Sequence, residues 1–321
     1  MIFPIAGVEL CPLLPVLLGL AIGTLAGVFG IGGGVLATPA LMWAGVPPAA
    51  AVGTGLNQMI AASAIGTMLN VEAGRVRPSL ALFAACASLP AGFLGTLAAG
   101  LLIEGGYFGV VVASAYVLIL VAVGFRMLRE LWTAGSSHPA GDALSDAGGV
   151  AVVVLFSLLA GLFAGLLGVG GGFILVPVMI YLVGIGTRVA IGTSLMQILL
   201  ISCGATVFHA TFIGGVDVML AAMLMVGSIP GSWLGVALAR RLPVARLRGL
   251  FGLLLLLAAA RMGWEIFGAA PAAQPLPAQA GAIGSAIELF AGEKPLLYGL
   301  SAAAFALVAG GLAGFVVTRA R

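Results

Sequence analysis

The chain has 321 residues, 62% hydrophobic and only 7% charged, with a mean hydropathy of +1.26. Soluble globular domains carry about a quarter charged residues, so this composition excludes one and describes a polytopic membrane protein. Thirteen basic against 10 acidic residues give a net charge of +3. With no basic patch beyond Arg240 to Arg248, that excess excludes a nucleic-acid surface and reads as membrane topology.

No Lys or Arg precedes Arg75, so the apolar N-terminal run lacks the basic leader of a cleavable signal peptide and reads as mature structure. A spanning helix needs about 20 apolar residues. The first apolar region, roughly 11 to 46, is too long for one crossing and is interrupted by Gly30-Ile31-Gly32-Gly33-Gly34. Spans are expected at about 50 to 71, 79 to 103 and 107 to 128. A polar loop at 133–149, rich in Gly, Ser, Asp and Pro, separates this first membrane repeat (1–132) from a second (150–267).

The second repeat follows the same plan: a broken apolar region at about 150 to 186, then spans near 189 to 211, 217 to 239 and 247 to 267. Its interruption is Gly168-Val169-Gly170-Gly171-Gly172. Residues 23 to 39 align with 161 to 177 with identity at Gly23, Ala26, Gly27, Gly30, Gly32, Gly33, Gly34 and Pro39, eight of seventeen positions. Further pairs keep the register: Gly53-Thr54 with Gly192-Thr193, Gln58 with Gln197, Pro90 with Pro230, Gly95 with Gly235, and Arg126-Met127 with Arg261-Met262. A Pro/Ala-rich linker is expected at 268–295. Within 296–321, the run from Leu296 to Val317 reads as an additional transmembrane helix outside the repeat.

Lys and Arg collect on the cytoplasmic side of a membrane protein. If each broken region returned to the side it left, Arg75, Arg77, Arg126, Arg129, Arg188, Arg240, Arg241, Arg246, Arg248, Arg319 and Arg321 would share one side, against Arg261 and Lys294. Single crossings would erase that bias. The expected fold is therefore all-α, with two inverted repeats, each a Gly-broken, hairpin-like helix plus three spanning helices, and an extra C-terminal span. The N-terminus is placed outside and the C-terminus and loop 133–149 in the cytoplasm.

Backbone N–H and C=O groups freed at membrane depth cannot be satisfied by lipid. The half-helices expected to start near Val35 and Phe173 would present N–H groups at Gly32, Gly33, Gly34, Gly170, Gly171 and Gly172, and such ends attract anions. The competing role for glycines is close helix packing, which suits Gly19, Gly23, Gly27, Gly310 and Gly314. A dinucleotide fingerprint fails for want of a strand before the glycines, and because the first acid downstream, Glu72, falls near the end of the next span.

The following helices carry Thr54, Asn57, Gln58, Ser63, Thr67 and Asn70 in one half, and Thr193, Ser194, Gln197, Ser202, Thr206 and His209 in the other. Thr54 with Gln58 and Thr193 with Gln197 are i, i+4 pairs on one face and are expected beside the breaks. Substrate contact is the reading for Thr54, Asn57, Gln58, Thr193, Ser194 and Gln197, with interhelical hydrogen bonding weighed almost equally. Asn70 and His209 correspond and form a candidate relay, though an interfacial histidine is the plainer reading. Cys11, Cys86 and Cys203 are scattered and suggest no disulfide framework or metal cluster.

With no ionisable side chain expected at mid-membrane, the site suits a small oxyanion, without cofactor or metal. The partners expected are a small anionic substrate and the lipid bilayer, with no nucleic acid; a homo-oligomer stays open. An inside-negative potential drives a monoanion outward by about 2.3 kcal/mol per 100 mV, which leans towards export. A cation channel, or a membrane enzyme or subunit holding a lipid or partner at the breaks, is the alternative class.

The duplicated Gly-x-Gly-Gly-Gly with a proline five residues on, the Gly-Thr pairs beyond it, and the turn Gly214-Gly215-Val216-Asp217 resemble the TauE/SafE sulfite exporter family, also called the toluene sulfonate uptake permease family. The resemblance covers about residues 13 to 267. It implies a multi-pass cytoplasmic-membrane permease, not an enzyme, that moves sulfite or sulfur-containing organic anions. The chain departs from an even repeat at Gly74-Arg75-Val76-Arg77, which stands opposite Gly214-Gly215-Val216-Asp217.

Overall fold

The computed structural model describes residues 2–3, 6, 8–132, 147–241 and 244–268. The expected linker, the expected last span and most of the loop between the halves lie outside them. Among the described residues there are ten α-helices: α1 (Leu13–Phe29), α2 (Gly34–Trp43), α3 (Pro48–Glu72), α4 (Pro78–Glu104), α5 (Phe108–Trp132), α6 (Ala147–Leu167), α7 (Gly172–Tyr181), α8 (Thr187–Phe212), α9 (Val218–Arg241) and α10 (Val244–Gly268). Among the described residues the departure from all-α is a ribbon in which β1 (Ile2–Phe3) pairs antiparallel with β2 (Val8–Glu9).

The glycines set the helix ends. Gly30 closes α1 in the left-handed region at φ 68°, its N–H donating to Ala26 O. Gly32 and Gly33 follow at φ 75° and 82°, a backbone that an L side chain adopts only with strain. In the second half Gly168, Gly170 and Gly171 repeat this at 72°, 72° and 76°. The short helices start at Gly34 and Gly172, one residue before the expected Val35 and Phe173. Pro39 and Pro177 lie within them and remove the donors that would meet the carbonyls of Val35 and Phe173. At 1.5 Å per residue, α1 is about 25 Å long and α2 and α7 about 15 Å, so the short pair cannot cross a bilayer alone. A Cβ placed on Gly33 would lie 2.6 Å from Ile22 Cγ2, and one on Gly171 2.6 Å from Ala160 Cβ. Both neighbours sit roughly two turns back from the end of the preceding helix, so the chain folds back at each break.

Helices α4, α5, α8 and α9 are long and apolar enough to cross a membrane. Helix α3 is not among them despite its 25 residues, because it carries Thr54, Asn57, Gln58, Ser63, Thr67 and Asn70, all of them buried and so turned to protein and not to lipid. Leu82, Phe83, Leu94, Leu101, Leu118 and Phe125 are instead exposed. Polar groups inside and large apolar side chains outside are what a lipid solvent selects.

Packing between the halves is reciprocal. Helix α1 lies on α9 as α6 lies on α4, α3 lies on α8, and α5 lies on α10. Small residues make these seams possible. Cβ atoms on Gly19, Gly23 and Gly27 would collide with the backbone of Leu224, Ser228 and Ser232, and ones on Gly161 and Gly165 with that of Ser88 and Gly92. Backbones approach so closely only where glycine recurs every fourth residue. One difference breaks the reciprocity: α5 also packs on α2, α3, α4 and α6, whereas the main contact of α10 is α5.

Candidate functional site

The two breaks meet each other in the centre of the bundle. A Cβ on Gly172 would lie 2.9 Å from Gly30 O and 3.0 Å from Ile31 Cα, and one on Gly34 would lie 2.5 Å from Gly168 O. The first intrahelical donors beyond the breaks are Leu36 and Ala37, both to Gly33 O, and Ile174 and Leu175, both to Gly171 O. The N–H groups of Gly34, Val35, Gly172 and Phe173 precede those ladders, as orphan donors of a helix start do.

Two side chains fill the space where the breaks face each other. Met59 lies against Gly32, Gly34 and Gly170, and Ile198 against Gly32, Gly170 and Gly172. Both are fully buried, and they occupy corresponding positions of the repeat, each following the glutamine of its helix. Sequence reasoning passed over them because an apolar residue in an apolar helix carries no signal of its own.

A third residue that escaped sequence reasoning is Tyr116 of α5. Its hydroxyl lies 3.2 Å from Gly34 O and 2.8 Å from Leu167 O, so one buried group ties the start of α2 to the end of α6. By the register of Arg126 with Arg261 its counterpart is Phe251, which has no hydroxyl. Ser194 holds the first break from the other half, donating to Gly30 O at 2.6 Å.

The remaining polar residues were expected beside the breaks, and the structure places them differently. Thr54 Oγ1 accepts from the N–H of Asp217 at 3.1 Å, and Thr193 Oγ1 accepts from the N–H of Arg77 at 3.1 Å. These bonds, at corresponding positions of the sequence repeat, pin the turns before α9 and α4. Gln58 Nε2 donates to Ser228 Oγ at 2.7 Å, and Gln197 Nε2 donates to Ser88 Oγ at 3.1 Å. The serine protons are committed to carbonyls, Leu224 O for Ser228 and Ala85 O for Ser88, so each serine can only accept from its glutamine. That fixes the amide orientation and leaves Gln58 Oε1 and Gln197 Oε1 buried without a partner among the described residues, as is Asn57 Oδ1. A buried polar atom left unmade costs about 1 to 3 kcal/mol, and these three acceptors on α3 and α8 are polar points in an apolar bundle.

Asn70 and His209, at corresponding positions, hold different partners. Asn70 Nδ2 donates to Gly66 O of its own helix at 2.7 Å, while His209 Nε2 is 2.6 Å from Gly165 O in α6. With Nε2 donating to that carbonyl, Nδ1 is the acceptor, buried and without a partner. No group of three or more His, Cys, Asp or Glu able to hold a metal occurs among the described residues.

A cavity of ≈ 810 Å³ leads towards the breaks from one side. Its outer part is lined by Leu182, Gly186 and Arg188, which are exposed, and its inner part by Val28, Phe29 and Ile191. Ile191 is the residue that a Cβ on Gly30 would strike. One flank of α7, Phe173, Ile174, Val176 and Pro177, forms a wall, with Asn70 and Arg75 also lining it. Arg75 and Arg188 were expected as topology markers, and Arg75 also as a departure from the repeat, and not as part of a site.

Comparison with known proteins agrees with this architecture. The sequence model of the family described as "Sulfite exporter TauE/SafE" matches residues 15–262. The chain is 31% identical over 233 residues to the "Probable membrane transporter protein YjnA" of Bacillus subtilis, covering 70% of this chain and 89% of that protein. It is 32% identical over 254 residues to a "Probable membrane transporter protein" of Xylella fastidiosa, covering 78% and 92%. A "Probable membrane transporter protein" of Methanocaldococcus jannaschii is 25% identical over 270 residues, covering 77% and 96%. No solved structure matches the chain at a significant level.

Proposed function

The chain belongs to the TauE/SafE family of membrane transporters, and from that premise we propose that it is a secondary transporter exporting a small sulfur-containing anion, sulfite or an organosulfonate, across the cytoplasmic membrane. The meeting of the two breaks carries this reading. Helix starts at Gly34 and Gly172 face one another's preceding turns at the bundle centre, so their amides supply donors from both halves to one point, and such ends favour negative charge. Gly32, Gly33, Gly34, Gly170, Gly171 and Gly172 form the cradle. Asn57, Gln58 and Gln197 contribute buried acceptors that suit the proton of a hydrogen-sulfite-like species. Ser194, Thr54 and Thr193 hold the breaks and adjoining turns in register.

In this state Met59 and Ile198 occupy the cradle, so transport requires them to yield as the halves move. The two halves are read as inverted repeats, and access alternates by the rocking of one on the other. An outward-directed monoanion gains about 2.3 kcal/mol per 100 mV from an inside-negative potential, so export needs no coupling residue. The deciding measurement is proteoliposome flux of labelled sulfite, thiosulfate and sulfoacetate beside sodium and potassium. Anion flux that saturates and follows the imposed potential supports the reading; cation flux with no anion flux sinks it.

A further inference from the structure

We propose that Arg75 and Arg188 make the cavity beside α7 a charge-selecting vestibule for a soluble monoanion, reached from the cytoplasmic side, while the mirror-related face of the same state is shut. The identity of the anion rests on the transport reading above; the charge selection does not.

Both charged side chains lining the ≈ 810 Å³ cavity are guanidinium groups, and its described lining includes no Asp or Glu. Arg188 is exposed at the outer end, and Arg75 is half-buried. Most of the remaining wall is apolar. Low-dielectric walls focus the field of charges set in them and concentrate the opposite ion, so two cations at the head of an apolar funnel collect anions for the break beyond. Guanidinium also offers paired donors that match an oxyanion in a way an ammonium does not.

The mirror positions show that this is a feature of one face only. In the repeat register Arg75 corresponds to Gly215 and Arg188 to Ala49. These uncharged residues abut, a Cβ on Gly215 falling 2.8 Å from Ala49 O. Phe173, Val176 and Pro177 of α7 are partly exposed, whereas their counterparts Val35, Thr38 and Pro39 in α2 are buried. Loop arginines, Arg75 and Arg188 among them, define the cytoplasmic side under the positive-inside bias. The anion is therefore gathered inside by a charged pair that the mirror-related positions, Gly215 and Ala49, do not repeat, the order that export requires.

An anionic lipid headgroup shares the chemistry that two guanidinium groups recognise, and the test separates the two sources. In the full chain with Cys11, Cys86 and Cys203 replaced by Ala, Val176→Cys is reacted in phosphatidylcholine vesicles with an anionic and a cationic methanethiosulfonate, each rate normalised to a free thiol. The anionic reagent should be favoured roughly ten-fold, and Arg75→Gln with Arg188→Gln should bring the ratio close to parity. Arg188→Gln alone, at an exposed position, should move it part of the way in a protein whose gel-filtration profile is unchanged. A ratio indifferent to both substitutions, or a Val176→Cys that neither reagent reaches, overturns the vestibule. Loss of anionic labelling when phosphatidylglycerol is added assigns the arginines to lipid and overturns it as well. If labelling is selective but sulfite does not move, the substrate proposal fails and the vestibule stands; if sulfite moves and labelling ignores the arginines, the reverse holds.

Discussion

Tyr116 shows how much one hydroxyl can organise. It reaches two carbonyls from different halves, Gly34 O and Leu167 O, from a fully buried position. Tyr116→Phe removes a buried hydrogen bond and leaves those carbonyls with one donor fewer, a loss of about 1 to 3 kcal/mol. It should appear as a lowered unfolding temperature in detergent with helix content unchanged by circular dichroism. The glycines of the breaks make a complementary prediction. Gly33→Ala and Gly171→Ala each place a Cβ in the left-handed region, at about 1 to 2 kcal/mol, and drive it against Ile22 or Ala160. Both should be less stable than Gly106→Ala, whose φ of 74° is equally left-handed but whose Cβ would meet nothing within 4 Å. Equal stability of all three variants would show that crowding at the breaks has no weight. These glycines were legible in the sequence because consecutive glycines have few other uses. Tyr116, Met59 and Ile198 were not, since their significance lies wholly in partners far away in the chain.

At the scale of elements, the duplicated sequence reached the helices well and their neighbours poorly. Spacing alone placed α3, α4, α8 and α9 to within a few residues, because prolines such as Pro48 and Pro78 open helices where a missing N–H does no harm. It could not say which face of α3 meets the break. Thr54 and Gln58 do share a face, but that face looks towards α9 and the turn before it, and Met59, the next residue round, looks into the break. Nor did the sequence show the ribbon β1–β2, two residues to a strand, whose connecting turn is bonded to Asp217. One Asp217 oxygen accepts from Ala6 N–H at 3.0 Å and the other from Met219 and Leu220 N–H at 3.1 and 3.0 Å, so a single carboxylate caps α9 and fastens the ribbon while Phe3 and Ala6 pack with Leu41, Val46 and Leu220. Asp217→Asn keeps a carbonyl oxygen for the cap but turns the other acceptor into a donor facing Ala6 N–H, which leaves that buried N–H unpaired at a cost of about 1 to 3 kcal/mol. Amide exchange at Ala6 should rise in that variant while exchange at Leu220 and in α4 stays as it was; protection that is unchanged at Ala6 would mean the ribbon holds without the carboxylate.

At the scale of the molecule, two halves of like sequence adopt unlike surroundings. The flank of α2 is covered by α5 with Tyr116, while the flank of α7 faces the cavity because α10 stays on α5. If transport exchanges these roles, the state with α10 over α7 would lack the Tyr116 bond, since Phe251 cannot make it. The hydroxyl then biases the pair of states by about 1 kcal/mol, or roughly five-fold in population. Thr38 is the mirror of Val176, and the two positions report the exchange in opposite senses. In the resting protein Thr38→Cys should resist an impermeant thiol reagent while Val176→Cys reacts. Supplying substrate under a potential that drives turnover should raise the first rate and lower the second. Tyr116→Phe should move both rates in the same directions without substrate, shifting their ratio by roughly five-fold. A Thr38→Cys that stays unreactive during measured flux would mean that the α2 flank never opens and that the halves do not trade places, leaving the anion a route on the α7 side alone.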